Sequence, residues 1–312
     1  MAGTQKGLVV VFGGSGFVGR HIVRRLAKDG FKLRAVMRRP NQALFLKTAG
    51  RTGQIELVQG NIRDETSSRA ALQGASAVIN AVGILYETGP QKFDAVQSAG
   101  AARLATLAAE QGVDRFIQIS AIGADAGSAS AYARSKAEGE AAILAACPQA
   151  HVLRPSIVVG PEDDFFNRFA RMAQIAPALP LIGGGLTRYQ PVGVFDVAQA
   201  VAACLYGAPS GIYELGGPQI YTFRELMELM LDKIGKRRLL VPLPFAAAGM
   251  LAQFMRFLPT PPLTPDQVIL LRSDNVVGEK LPALAALGIE ATPIAALLDS
   301  YLGRYRGASK TV

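Results

Sequence analysis

Short, mostly apolar runs recur along the first half of the chain: Leu8–Phe12, 33–37, Ile55–Gln59, 77–82, Arg115–Ile119 and a run from Val152. Runs of this length and greasiness read as strands buried on both faces, as in a parallel sheet covered by helices on each side. Between the first two runs, Val18, Ile22, Val23 and Leu26 recur at helical spacing while Arg20, Arg24, Arg25 and Lys28 take the opposite face. Asp29-Gly30 supplies the stop, with glycine suited to the C-terminal cap. An alanine-rich helix is predicted over 98–111, and another opens near Tyr132. Alternating strands and helices predict an α/β fold with a doubly wound parallel sheet, whose ligand lies outside the carboxyl ends of the strands. Further on, Gly211–Leu215 reads as a short strand, and Thr222-Phe-Arg-Glu225 has the form of a helix capping box. The expected organisation is a dinucleotide-binding domain of Rossmann type over 1–160 and a smaller C-terminal α/β lobe over 161–312, in one continuous structural unit.

The chemistry starts at the turn after the first run. Gly13-Gly-Ser15-Gly16-Phe17-Val18-Gly19 joins a buried strand to an amphipathic helix. Glycines there let the backbone turn tightly and approach a diphosphate, and the helix start offers free N–H groups and a positive dipole. The end of the second strand selects the cofactor. NAD sites place an acid there for the ribose hydroxyls; here the strand ends Met37-Arg38-Arg39-Pro40 with no acid. Guanidinium pairs well with phosphate, so the expectation is NADPH, held at its 2′-phosphate by Arg38 first and Arg39 second. The other use of these arginines is contact with solvent or a protein. Ala81, Val82 and Gly83, at the end of the fourth strand, are small enough to leave space for the nicotinamide-side ribose and phosphates.

Ser120 ends the fifth strand, and Tyr132 and Lys136 follow on one face of a helix. Such a set can move a proton: the lysine favours tyrosinate and holds a ribose, the tyrosine passes the proton, and the serine orients a carbonyl. The other reading is a cofactor clamp without a substrate. The glycine spacing, counted from Gly13, resembles the short-chain dehydrogenase/reductase superfamily in its extended and atypical branches, and Ser120, Tyr132 and Lys136 match that family's catalytic set. The resemblance implies that Asn61 and Ile62 lie against adenine. It also implies that Pro155, Ser156 and Ile157, in a segment similar to the family's RPxxVxGP, border the nicotinamide. Segments at 190–198 and 211–218 are similar to two others of the family, so the resemblance runs from residue 7 to about 235. Beyond it, Leu263-Thr264, Asp266-Gln267-Val268, Leu270-Leu271 and Asp274-Asn275-Val276-Val277 resemble one branch, the nucleotide-binding accessory subunit of respiratory complex I and its bacterial relatives. That resemblance implies tight NADPH binding and a place among other complex I subunits on the peripheral arm, near the membrane and quinone site. It also implies a role in assembly or stability with no turnover of its own. The alternative is a free NADP-dependent oxidoreductase or epimerase working through Ser120, Tyr132 and Lys136.

Composition sharpens this picture. The 312 residues carry a net charge of +9, and residues 1–51 alone hold eleven Lys or Arg against one acid, Asp29. That segment calls for an anionic partner. Nucleic acid is the weakest of the candidates, because four of those cations line one helix without interleaved aromatics. Only 18% of residues are charged, and mean hydropathy is +0.24. So greasy a chain is not disordered and points to surface covered by a partner or lipid. Lys236-Arg-Arg238 followed by the apolar stretch 241–258 suits a membrane surface or a partner; the plainer reading is a core helix. The start leaves no room for a signal peptide, and no apolar run reaches the roughly 18–20 residues of a spanning helix. The expected location is therefore peripheral, on the cytoplasmic face of a bacterial inner membrane, or the matrix side in a mitochondrion. Two cysteines without a CxxC and two histidines leave little material for a disulfide scaffold or a metal site.

Overall fold

The computed structural model describes residues 7–255, 258 and 261–306. The start at 1–6, the last part of the apolar stretch at 256–257 and two residues of the proline-rich turn at 259–260 lie outside the described residues. The chain divides into two compact units. The first comprises the described residues up to Pro155 with Phe195–Glu214 and Leu281–Ile289; the second comprises Ser156–Val194, Leu215–Lys280 and the described residues from Glu290.

In chain order the first unit starts β1 (Leu8–Phe12), α1 (Phe17–Lys28), β2 (Lys32–Met37), β3 (Ile55–Gln59), α2 (Glu65–Leu72), β4 (Ala75–Asn80), α3 (Ala99–Glu110), β5 (Arg115–Ile119), α4 (Ala131–Ala146) and β6 (His151–Pro155). The seven-stranded sheet runs Gly211–Leu215, β6, β5, β4, β1, β2, β3. From β3 across to β6 each neighbouring pair is parallel. The Rossmann-type α/β expectation therefore holds. Strand order reverses between β1 and β4, so their carboxyl ends splay and open a crevice there. Val9, Val10, Val11 and Phe12 are all buried, as a strand covered on both faces requires. Helix α1 buries His21, Ile22, Val23 and Leu26 and stops at Gly30, whose φ of +83° suits glycine.

Two local boundaries differ from the pattern reading. β4 begins at Ala75 and ends at Asn80, two residues before the apolar run does. The Asn80 side chain turns back and accepts the Val82 N–H at 3.1 Å, which takes that donor from the ladder. The long helix before β5 is preceded by a π turn, Asp94–Ser98, which carries the buried Gln97. π turns of this kind place a side chain that a regular helix would not.

In the second unit, the helices Phe165–Ile175, Phe223–Lys233 and Ile294–Leu302 share a core built on Phe166, Leu226, Met227, Met230 and Leu298. The Thr222 capping box is formed. The apolar stretch 241–258, whose plainer reading is a core helix, instead begins within a strand, Leu239–Leu243, and continues as a helix, Phe245–Met255. Pro242 and Pro244 explain the break, since each lacks the N–H a helix needs there. The strand pairs in parallel with Ala178–Ile182. The complex I-like segment is tied down as well. Asp274 takes the backbone N–H and guanidinium of Arg188, each at 2.8 Å, and the Asn275 N–H donates to the Arg188 carbonyl at 2.8 Å.

Candidate functional site: the carboxyl ends of the first unit's strands

The glycine turn is shaped as its spacing implies. Gly13 has φ +78°, and a Cβ there would stand 2.8 Å from the Ala81 carbonyl. A Cβ on Gly19 would lie 2.1 Å from the Gly13 carbonyl oxygen, so α1 can approach the turn only with glycine at that position. Gly16 caps α1 in extended conformation without a side-chain bond, and the first turn holds no acid. The helix start is thus electropositive, and Ser15, Gly16, Phe17 and Val18 are at least partly open to solvent. Arg20 braces the turn by donating to the Ser15 carbonyl at 3.0 Å and the Gly16 carbonyl at 3.2 Å. This cradle fits a diphosphate.

Arg38 and Arg39 are exposed at the end of β2. Asn61 and Ile62 stand beside them after β3, because Met37 pairs with Gln59 and the Gly60 N–H donates to the Met37 carbonyl at 3.0 Å. Asn61 accepts the Arg63 N–H through its side chain at 3.1 Å, and Ile62 is buried in the core beside Phe12 and Val36. Ala81 and Val82 are half-buried, and Gly83 is exposed.

Lys136 and Tyr132 come together on α4. The Lys136 ammonium lies 5.8 Å from the centre of the Tyr132 ring and donates to the Ile119 carbonyl at 3.4 Å. Gly83 faces that ammonium: a Cβ there would stand 3.5 Å from the Lys136 nitrogen, an ordinary contact distance. Burial pushes the Lys136 amine down to about 8, against the pull of Glu140. An amine so placed can charge or discharge near neutral pH, as proton transfer through the adjacent tyrosine requires. A bound nicotinamide would supply the hydride chemistry; Lys136 and Tyr132 would hold its ribose and the proton.

Ser120 has a different partner. Its hydroxyl donates to Glu140 Oε1, and Glu140 is itself clamped by Arg154, with Nε at 3.0 Å and Nη2 at 2.5 Å. Glu214 stands 3.9 Å from the same guanidinium. Ser120, Glu140 and Glu214 are all buried. A serine proton held by a buried carboxylate is not aimed at a substrate carbonyl. Glu140 and Arg154 were not among the residues expected at the site, although Glu140 sits one helical turn beyond Lys136, a spacing that offered a signal. Gln97 was missed too: it donates to Ser135 of α4 at 3.1 Å, and the Ile84 N–H donates to it at 3.4 Å.

Pro155 ends β6, while Ser156 and Ile157 begin the second unit. Ser156 is buried, and its hydroxyl bonds the Asn275 carbonyl at 2.9 Å and the Asn275 side chain at 2.7 Å. Sequence reading treated Ser156 and the Asp274-Asn275 segment as separate motifs; the fold joins them.

A dinucleotide cradle on a reversing parallel sheet, with a Tyr–Lys pair at its inner end, defines an extended short-chain dehydrogenase/reductase-type protein. The chain belongs to the NAD dependent epimerase/dehydratase family, whose model matches residues 9–216. It is 38% identical over 286 residues to the mitochondrial NADH dehydrogenase [ubiquinone] 1 alpha subcomplex subunit 9 of Arabidopsis thaliana, covering 87% of this chain and 71% of that protein. It is 32% identical over 246 residues to a ceramide reductase of Caulobacter vibrioides, covering 78% and 76%. Among solved structures, a dTDP-glucose 4,6-dehydratase from Streptomyces venezuelae with NAD bound shares the fold, with TM-score 0.73 at 21% identity, covering 95% of this chain and 96% of that one. The resemblance read from the sequence, to the superfamily and to its complex I branch, is borne out.

Proposed function

We propose that the chain is an NADPH-binding accessory subunit of respiratory complex I that supports assembly of the peripheral arm and turns over no substrate of its own. One observation carries this reading. The likeness to the Arabidopsis complex I subunit covers 87% of this chain, well beyond the dinucleotide half that many enzymes share. The preference for NADPH rests on Arg38 and Arg39, exposed where an NAD site would place an acid. The lack of turnover rests on Ser120, whose hydroxyl is committed to Glu140. Peripheral lipid contact, on the cytoplasmic face of a bacterial inner membrane, rests on the second unit. Leu239, Val241, Met250 and Phe254 are exposed there, next in sequence to Lys236 and Arg237, and cations beside apolar side chains suit lipid phosphates. No helix among the described residues is long and apolar enough to cross a membrane.

Deleting the gene and resolving mildly solubilised membranes on native gels tests the reading. The expected result is loss or destabilisation of complex I, and co-migration of this chain with it in the wild type. Complex I recovered at full yield and activity without the chain would sink it.

A second reading, a free NADP-dependent reductase, is favoured by the intact Tyr132–Lys136 pair and by the likeness to the Caulobacter ceramide reductase. It predicts turnover on a carbonyl substrate that Tyr132→Phe lowers by about 10²–10⁴-fold.

A further inference from the structure

Next to Arg38 lies a second guanidinium that the cofactor reading left out. Arg63 follows β3 and shares the carboxyl edge of the sheet with Arg38, through the Met37–Gln59 pairing. The two converge on one side chain: with the Gln91 amide in the orientation that satisfies its neighbours, its oxygen accepts from Arg63 Nη2 at 3.0 Å and from Arg38 Nη1 at 3.3 Å. Gln91 is presented by a tight hairpin, in which Thr88 and Gln91 exchange backbone hydrogen bonds of 3.0 and 2.9 Å around Gly89. Arg63 also donates to the Pro90 carbonyl at 3.0 Å, and its Nε is buried without a hydrogen-bond partner. Among the described residues, neither guanidinium meets a carboxylate.

Two positive groups held on one neutral oxygen are an unbalanced arrangement. Like charges gathered at one point repel, and an amide oxygen offsets that less than an anion does. A phosphate brings three acceptor oxygens and charge, and its hydrogen bonds to guanidinium are roughly twice as strong as neutral ones. The buried Nε is one more donor that meets no acceptor among the described residues. We propose that Arg63 is the second cation of the 2′-phosphate site begun by Arg38, and that Gln91 holds both guanidiniums in register until the phosphate takes the place of its oxygen. This inference rests on the NADPH reading and adds to it a residue and a cover, the hairpin 88–91.

The test titrates the purified full chain with NADPH, NADH, 2′,5′-ADP and 5′-AMP, and compares the wild type with Arg63→Gln, Arg63→Lys and Arg38→Gln. Arg63→Gln should weaken NADPH and 2′,5′-ADP by about tenfold or more, with NADH and 5′-AMP essentially unchanged. Arg63→Lys, which keeps a charge, should retain part of the preference and serves if the glutamine variant fails to fold. Equal loss for NADPH and NADH would make Arg63 a loop anchor and overturn the proposal. A preference abolished by Arg38→Gln but untouched by Arg63→Gln would overturn it too, while leaving the NADPH reading intact. If the wild type does not distinguish NADPH from NADH, that reading falls and the present proposal falls with it.

Discussion

In the first unit, Ser120, Glu140, Arg154 and Glu214 enclose charge in the interior, and every one of them has a partner. In the second, Leu239, Met250 and Phe254 stand in solvent with apolar side chains uncovered. A protein usually does the reverse in both places. The contrast bears on the low charged fraction and positive mean hydropathy of the chain. Part of the apolar content is held outside the core, including in one strand and one helix of the second unit. Each departure from the ordinary distribution has its own reason. The buried charges order the inner end of the candidate site, where the Glu140–Arg154 pair ties α4 to β6. The exposed apolar side chains are the ones on which the proposed contact with lipid rests.

Three measurements would break or sharpen that contrast. The largest effect belongs to Glu140→Ala. It leaves the Arg154 guanidinium enclosed without its principal partner, and loss of one member of a buried pair costs about 3–5 kcal/mol. Urea unfolding of the ligand-free chain should show a loss of unfolding free energy of that order, and a loss near zero would mean that the network is solvated. Lys136→Met should act in the opposite direction. The folded-state value of about 8 lies below the ordinary 10.5, so the unfolded chain binds this proton more tightly. The penalty is present in full below about pH 8 and fades as pH rises toward 10.5. The substitution should therefore stabilise the ligand-free chain by about 1–3 kcal/mol near neutral pH, with the gain shrinking across that alkaline window. A gain that does not vary with pH would refute burial of the charge as its source. The smallest effect on stability is expected from Met250→Asp with Phe254→Asp. Both side chains are exposed, so unfolding should move by no more than about 0.5 kcal/mol. Flotation with anionic vesicles should nevertheless be lost, and its retention would detach this strip from any lipid contact.

Much of the first unit was legible because its signals are local. β1, β3 and β5 begin and end where the apolar runs do. The glycine turn and the Tyr132–Lys136 spacing each occupy a single short window. The network around Ser120 was not legible in the same way. Glu140 and Arg154 lie 20 and 34 positions from it, and no periodicity joins a strand end, a helix and the next strand at those distances. Arg63 and Gln91 meet for a similar reason, through the pairing of β2 with β3 and a hairpin between β4 and α3. The stretch 241–258 differs from a single helix because a mostly apolar run has no period, and only the prolines carry information about where it turns from strand to helix.

The sequence by itself determined the alternation of strands and helices in the first unit, the glycines that let a phosphate approach, and the family. These depend on backbone preference, burial pattern and short spacings, all of which act within a few turns of chain. Only the tertiary structure decided that the Ser120 hydroxyl belongs to Glu140, that Lys136 is enclosed, that Asn275 secures Ser156 and that Arg38 is not alone. Those are contacts between residues far apart in sequence. Which atoms meet there depends on strand order and side-chain packing, and a polar group enclosed by that packing must be paired with whatever the fold brings to it.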